Sequence, residues 1–70
     1  MDKLTEKLLR DNPFTEYGTG LEQTFVWFDG GQDDDPFVFF DPDGTEAFRT
    51  FEELLARIKE AEQYEEEKNQ

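Results

Sequence analysis

Apolar residues fall along this 70-residue chain in separate groups, and the spacing inside each group says what element it builds. Leu4, Leu8 and Leu9 make a one-sided stripe behind Asp2, a residue able to cap a helix. Asp11-Asn12-Pro13 closes that stripe, because the residue before a proline avoids helical angles. A short first helix over about residues 3 to 11 is predicted. The segment Phe14-Thr15-Glu16-Tyr17-Gly18-Thr19-Gly20 carries two glycines and reads as a loop crossing to a sheet.

Two runs rich in aromatic and β-branched residues follow, Leu21 to Phe28, ending in Thr24-Phe25-Val26-Trp27-Phe28, and Phe37-Val38-Phe39-Phe40. Such residues suit a pleated surface, so both runs read as strands. The eight residues between them, Asp29 to Pro36, are too many for a tight hairpin and read as an exposed acidic loop. Asp41-Pro42-Asp43-Gly44 is a turn: proline presets φ, Asp41 can bond the backbone ahead, and Gly44 is free to take positive φ. A third strand through Thr45, Ala47 and Arg49 would complete an antiparallel meander.

Thr50-Phe51-Glu52-Glu53 fits a capping box, and Phe51, Leu54, Leu55, Ile58 and Ala61 then recur at helical spacing. A second helix from residue 51 to about 62 is predicted. Beyond Tyr64, Glu65-Glu66-Glu67 would set negative charge at the negative end of the helix dipole, which favours fraying. Residues 66–70 are expected to form a mobile acidic tail on a single domain over 1–65. The order α-β-β-β-α is an α+β fold, a three-stranded antiparallel sheet packed with two helices.

Strand alternation raises a question of cover. Phe25 and Trp27 alternate with Val26 and Phe28, and Phe37 and Phe39 with Val38 and Phe40, so both faces of the sheet are apolar. The arrangement expected is the second helix on one face, with the first helix and its loop partly covering the other. The alternative sets both helices on one side and leaves the other as a self-association or partner surface.

Composition changes this picture in two ways. A chain this short buries only about 60% of its unfolded surface, so a thin core is expected. Eight Phe, two Tyr and one Trp can build it, because each aromatic removes roughly 150–250 Å² from water. Without cysteine there is neither a disulfide framework nor a thiolate metal site. The N-terminal residues show no signal-peptide apolar region and no run is long enough to cross a bilayer, so a soluble intracellular protein is the expectation.

Charge is the second change. Nineteen acidic against seven basic residues give −12. That balance repels nucleic-acid phosphates and anionic membranes and speeds encounter with basic proteins. Its placement says more than its sum: ten acids and no base lie between Asp11 and Phe48, whereas residues 2–10 are net +1 and residues 49–70 net −3. A solvated face that keeps an aromatic-rich protein soluble is the plain reading, and a salt-adapted proteome is another. Four lysines among the seven bases argue against the second, and a base-free stretch this long costs stability through self-repulsion, which favours a functional reading over the first.

Chemistry is scarce. The chain lacks His, Cys and Ser, the usual general base and nucleophiles, which argues against an enzyme. Paired carboxylates can do acid–base work, but in clefts that a domain of this size hardly builds. An EF-hand loop with Gly44 at its sixth position would start at Phe39 and end at Thr50, so two ligands are missing. No metal or other cofactor is expected.

The acidic stretch from Asp11 to Phe48, on a small α+β frame without catalytic residues, resembles the proteins phages use against host nucleic-acid-binding systems: acidic anti-CRISPR proteins, restriction inhibitors and uracil-DNA glycosylase inhibitors. The resemblance is one of overall character, with no shared motif, so no residue is carried over by position. It implies a mimic of DNA whose carboxylates occupy a groove lined with Lys and Arg and exclude the duplex. Candidate contacts are Glu16, Glu22, Asp29, Asp33, Asp34, Asp35, Asp41, Asp43 and Glu46, with Trp27 or Tyr17 as an aromatic anchor or as core. The expected partner is a basic protein, first of all a CRISPR effector complex, met in the cytoplasm of a bacterial host. Direct contact with nucleic acid or membrane is not expected. The competing readings are a homodimeric adaptor with an aromatic interface, and an immunity protein or antitoxin neutralising a basic nuclease.

Overall fold

In a computed structural model, residues 4–31 and 33–68 are described. They form α1 (Glu6–Asp11), β1 (Tyr17–Gly18), β2 (Phe25–Phe28), β3 (Phe37–Asp41), β4 (Gly44–Phe48) and α2 (Phe51–Lys68). The sheet is an antiparallel meander in the order β1-β2-β3-β4. The class is the α+β expected, with four strands where three were read.

The additional strand is β1. Tyr17 pairs with Val26 and Gly18 with Phe25, inside a segment that reads as loop. Two residues, one of them glycine, carry no strand signal of their own; their partner in β2 makes them a strand. Correspondingly, β2 begins only at Phe25, because Leu21–Gln23 are spent on the turn that joins it to β1. Thr19 and Thr24, both buried, close that turn: Thr19 N–H donates to the Thr24 carbonyl at 3.2 Å, and the Thr19 hydroxyl accepts from Leu21 N–H at 3.2 Å. Gln23 takes φ 57° there, a left-handed angle rare outside glycine.

The turn between β3 and β4 forms as read. The Asp41 carboxylate accepts from the backbone N–H of Asp43 at 2.9 Å and of Gly44 at 3.0 Å, and Gly44 has φ 147°. Strand β4 ends at Phe48, so Arg49 lies in the bend before α2.

Helix α1 starts later than expected. Its cap is Thr5, whose hydroxyl accepts from Leu8 N–H at 3.1 Å; Asp2 lies outside the described residues. Leu4, just before the cap, packs against the cluster that holds Leu9, the positions of a hydrophobic staple. Helix α2 is capped by Thr50, whose hydroxyl accepts from Glu53 N–H at 3.2 Å. It runs to Lys68, past the expected end near 62; of the tail read at 66–70, residues 69 and 70 lie outside the described residues. Eighteen residues span about 27 Å, against about 17 Å for a five-residue strand. The apolar face stops at Ala61 because the helix outruns the sheet.

Both helices sit on one face. Leu9 of α1, Leu54 and Ile58 of α2, and Val26, Phe28, Phe37 and Phe39 of the sheet form one buried cluster, with Tyr17, Phe48, Phe51, Leu55 and Ala61 packed around it. Phe37 is its hub, with ring centroids 5.2 Å from Phe28 and 6.0 Å from Phe51. The expectation that α1 would shield the opposite face is therefore corrected. Leu9 follows the same side as α2 because Val26 and Phe28, the inward pair of β2, need cover that α2, seated over β3 and β4, does not supply.

Candidate partner-binding surface

The meander sorts the nine candidate carboxylates by position. At one end of the sheet lies the β2–β3 loop with Asp29, Asp33, Asp34 and Asp35, and Glu16 stands on the same side, just before β1. Glu22, Asp41 and Asp43 lie at the other end, on the β1–β2 and β3–β4 turns. Strand β3 separates the two ends by four steps of about 3.3 Å, or ~13 Å. Glu46 is in neither group, since it pairs with Phe39 at mid-sheet on the helix-covered side.

Three of the nine are committed inside the molecule. Asp29 accepts from Gly31 N–H at 3.1 Å and so shapes its own loop. Asp41 holds the β3–β4 turn and, with Glu46, grips Arg57 of α2: the guanidinium donates to Glu46 at 2.5 Å and to Asp41 at 3.3 Å. It also lies 4.7 Å from the centre of the Phe39 ring. The Arg57 and Asp41 side chains are only 24% and 17% exposed and that of Glu46 is 51% exposed, so this clamp is only partly screened by solvent. Glu16, Glu22, Asp33, Asp34, Asp35 and Asp43 are exposed.

Three of the seven bases are paired in the same manner. Arg10 lies 5.1 and 5.3 Å from the Phe28 and Phe37 ring centres while donating to Glu6 at 2.7 Å. Lys7 donates to Asp11 at 2.5 Å, and that hydrogen bond, with the Asp11 charge, holds its ammonium above the ordinary lysine pKa. Lys7, Arg10 and Arg57 are thus paired within the molecule, while Arg49 and Lys59 are exposed.

The uncovered face of the sheet is the alternative that the alternation of both strands left open, and its residues were not among the nine candidate carboxylates. Phe25 stands opposite Phe40, Trp27 opposite Val38, Phe40 opposite Thr45 and Val38 opposite Ala47. These side chains share the side away from both helices. Phe25 and Phe40 are each 38% exposed, Trp27 is half-buried, and no strand position on this side is charged. Tyr17 has the opposite parity and belongs to the core, so of the two proposed anchors only Trp27 lies on an open surface.

No protein-family model matches this chain, and no curated protein or solved structure is similar to it.

A groove of about 740 Å³ opens between the two turns and the second half of α2, lined by Leu21, Glu22, Asp43, Arg57, Glu60 and Tyr64 among others. Its charged rim includes three unclamped carboxylates and the arginine already held by Asp41 and Glu46. Among the described residues no three carboxylates stand close enough to hold a metal ion. None of the helices in the described residues is long and apolar enough to cross a membrane. The surface offers hydrogen-bond acceptors and aromatic faces, which suit the recognition of cationic groups.

Proposed function

We propose that this chain is an acidic inhibitor protein that binds the basic, nucleic-acid-binding surface of a partner and blocks DNA access. The observation that carries the reading is the placement of the carboxylates. Exposed ones gather at the two ends of one short sheet, on the β2–β3 loop and on the β1–β2 and β3–β4 turns, beyond a strand of about 13 Å, so that negative charge stands on either side of a rigid frame. The Asp41 carboxylate accepts from Asp43 and Gly44 N–H and fixes the β3–β4 turn that displays Asp43, so little entropy is lost there on binding.

A CRISPR effector complex is the first partner to test, because its guide and target channels are large basic surfaces that a small acidic protein can fill. Under this reading the protein acts in the cytoplasm of a bacterial host. An immunity protein for a basic nuclease would share the electrostatics and differ in having one dedicated target.

The test is a pull-down from bacterial lysate with the chain as bait, washed at low and at high salt. A DNA- or RNA-binding complex that high salt releases, and whose duplex binding the chain then inhibits when purified, is the expected result. A second reading, a homodimeric adaptor, is favoured by the open aromatic face. Recovery of nothing except a salt-resistant dimer of the bait would replace the inhibitor by that adaptor.

A further inference from the structure

The two faces of the sheet hold the same materials in different states of use. On the covered face, phenylalanine rings carry guanidinium groups: Arg57 over Phe39, gripped by Asp41 and Glu46, and Arg10 over Phe28 and Phe37, held by Glu6. On the open face, Phe25, Phe40 and Trp27 form an aromatic surface whose strands end in exposed carboxylates, Asp33, Asp34 and Asp35 at one end and Asp43 at the other. Among the described residues, Arg10 and Arg57 make the cation–ring contacts, and both lie on the covered side. Arg49, in the bend after β4, reaches none of the open rings.

We propose that the open face is a docking site for arginine side chains of a basic protein, their guanidinium planes stacked on Phe25, Phe40 and Trp27 and their charge met by the carboxylates at the sheet ends. The proposal rests on the reading above that the partner is basic, and adds which surface it meets and by which residue type. Charge selects the occupant. A second copy would set −12 against −12 across the contact, whereas a basic partner brings the complement. Chemistry selects arginine over lysine, because a guanidinium is planar, weakly hydrated and able to stack on a ring while donating to a carboxylate, and an ammonium is a hydrated point charge.

Nona-arginine and nona-lysine peptides test this, since they carry equal charge and differ only in the cationic group. Trp27 is the sole tryptophan and lies on the open face, so its emission reports occupancy directly. At low salt nona-arginine is expected to shift Trp27 emission and to bind about ten-fold more tightly than nona-lysine. Phe25→Thr with Phe40→Thr is expected to erase that preference and leave nona-lysine binding intact. Thr45→Arg, directly opposite Phe40, supplies the face with an arginine of its own and is expected to weaken nona-arginine binding even if the double variant folds poorly.

Equal affinity for the two peptides, unaltered by either variant, would overturn the docking site while the basic-partner reading stood. Failure of both peptides to bind would sink the two together. A dimer of the unmodified chain in sedimentation, dissolved by the Phe25 and Phe40 substitutions, would give the face to a second copy and overturn the proposal.

Discussion

One sheet serves two opposite environments, and the contrast between its faces separates what folds this protein from what it displays. The covered face spends its aromatics on a core with Leu9, Leu54 and Ile58 and neutralises Asp41, Glu46 and Glu6 with arginines. The open face has rings of the same kind on the same strands but, among the described residues, neither helix nor arginine above them. Val38 is 8% exposed on that face, so neighbouring side chains already shelter the middle of it, and Phe25 and Phe40 present the accessible rings. If the comparison is right, substitutions of similar chemistry should act on stability on one side and on binding on the other.

The largest effect is expected in the covered core. Phe39→Ala should cost about 3–5 kcal/mol and Leu54→Ala about 2–5 kcal/mol, both residues being fully buried. A chain of this length has roughly 4–10 kcal/mol to lose, so either variant should unfold at much lower urea, and Phe39→Ala should populate the unfolded state without denaturant. Leu55, only half-buried at the margin of the same cluster, should lose clearly less when cut to Ala. A midpoint for Leu54→Ala equal to that of Leu55→Ala would place the wrong side of α2 against the sheet.

Next comes the arginine clamp. Arg57→Met keeps an apolar stem over Phe39 but leaves the Asp41 and Glu46 carboxylates, which share the guanidinium, without their cation. A loss of about 1–2 kcal/mol is expected, below that of a fully buried pair because Glu46 is half-exposed and Asp41 keeps its two backbone donors. Urea denaturation at low and high salt checks it: the destabilisation should shrink with salt as the repulsion between the two carboxylates is screened. An unchanged midpoint would mean that the guanidinium adds nothing beyond its stem.

These two regions also show what was legible in the chain. Helix α2 and the β3–β4 turn were, since helical spacing, a Thr cap and an Asp-Pro-Asp-Gly signature are local. Strand β1 was not: nothing in Tyr17-Gly18 marks a strand, and its existence depends on pairing with Val26 and Phe25 across a turn in which Gln23 takes a left-handed angle. Nor could the covered face be chosen, because β2 and β3 are apolar on both sides and only packing breaks the tie. The clamp joins Arg57 to residues 11 and 16 positions away, a pairing that no local spacing encodes. Asp41 and Glu46, candidates for contact with a partner on charge alone, are for that reason paired within the molecule.

On the open face the same type of residue should behave differently. Phe25→Thr and Phe40→Thr each remove a ring that is more than a third exposed and put a strand-compatible residue in its place. Each should cost no more than about 1 kcal/mol, against 3–5 kcal/mol for Phe39→Ala. Thermal melts of the three variants side by side settle the matter: comparable losses at Phe25 and Phe39 would mean that the open face is structural, and the contrast between faces would fail.

The smallest effect on stability, and the one that isolates electrostatics, belongs to the β2–β3 loop. Asp33, Asp34 and Asp35 are exposed and make no hydrogen bond or ion pair among the described residues, unlike Asp29 beside them. Replacing all three by Asn takes the net charge from −12 to −9 and removes repulsion without removing a contact, so stability should stay within about 0.5 kcal/mol or rise slightly. Binding to a basic partner should weaken, and its dependence on salt should flatten, because fewer charges take part in the contact. Partner affinity measured at several salt concentrations distinguishes the possibilities. Lower affinity with an unchanged salt slope would mean that the loop acts through shape, and the acidic end of the sheet would then be a scaffold for the aromatic face rather than a partner to it.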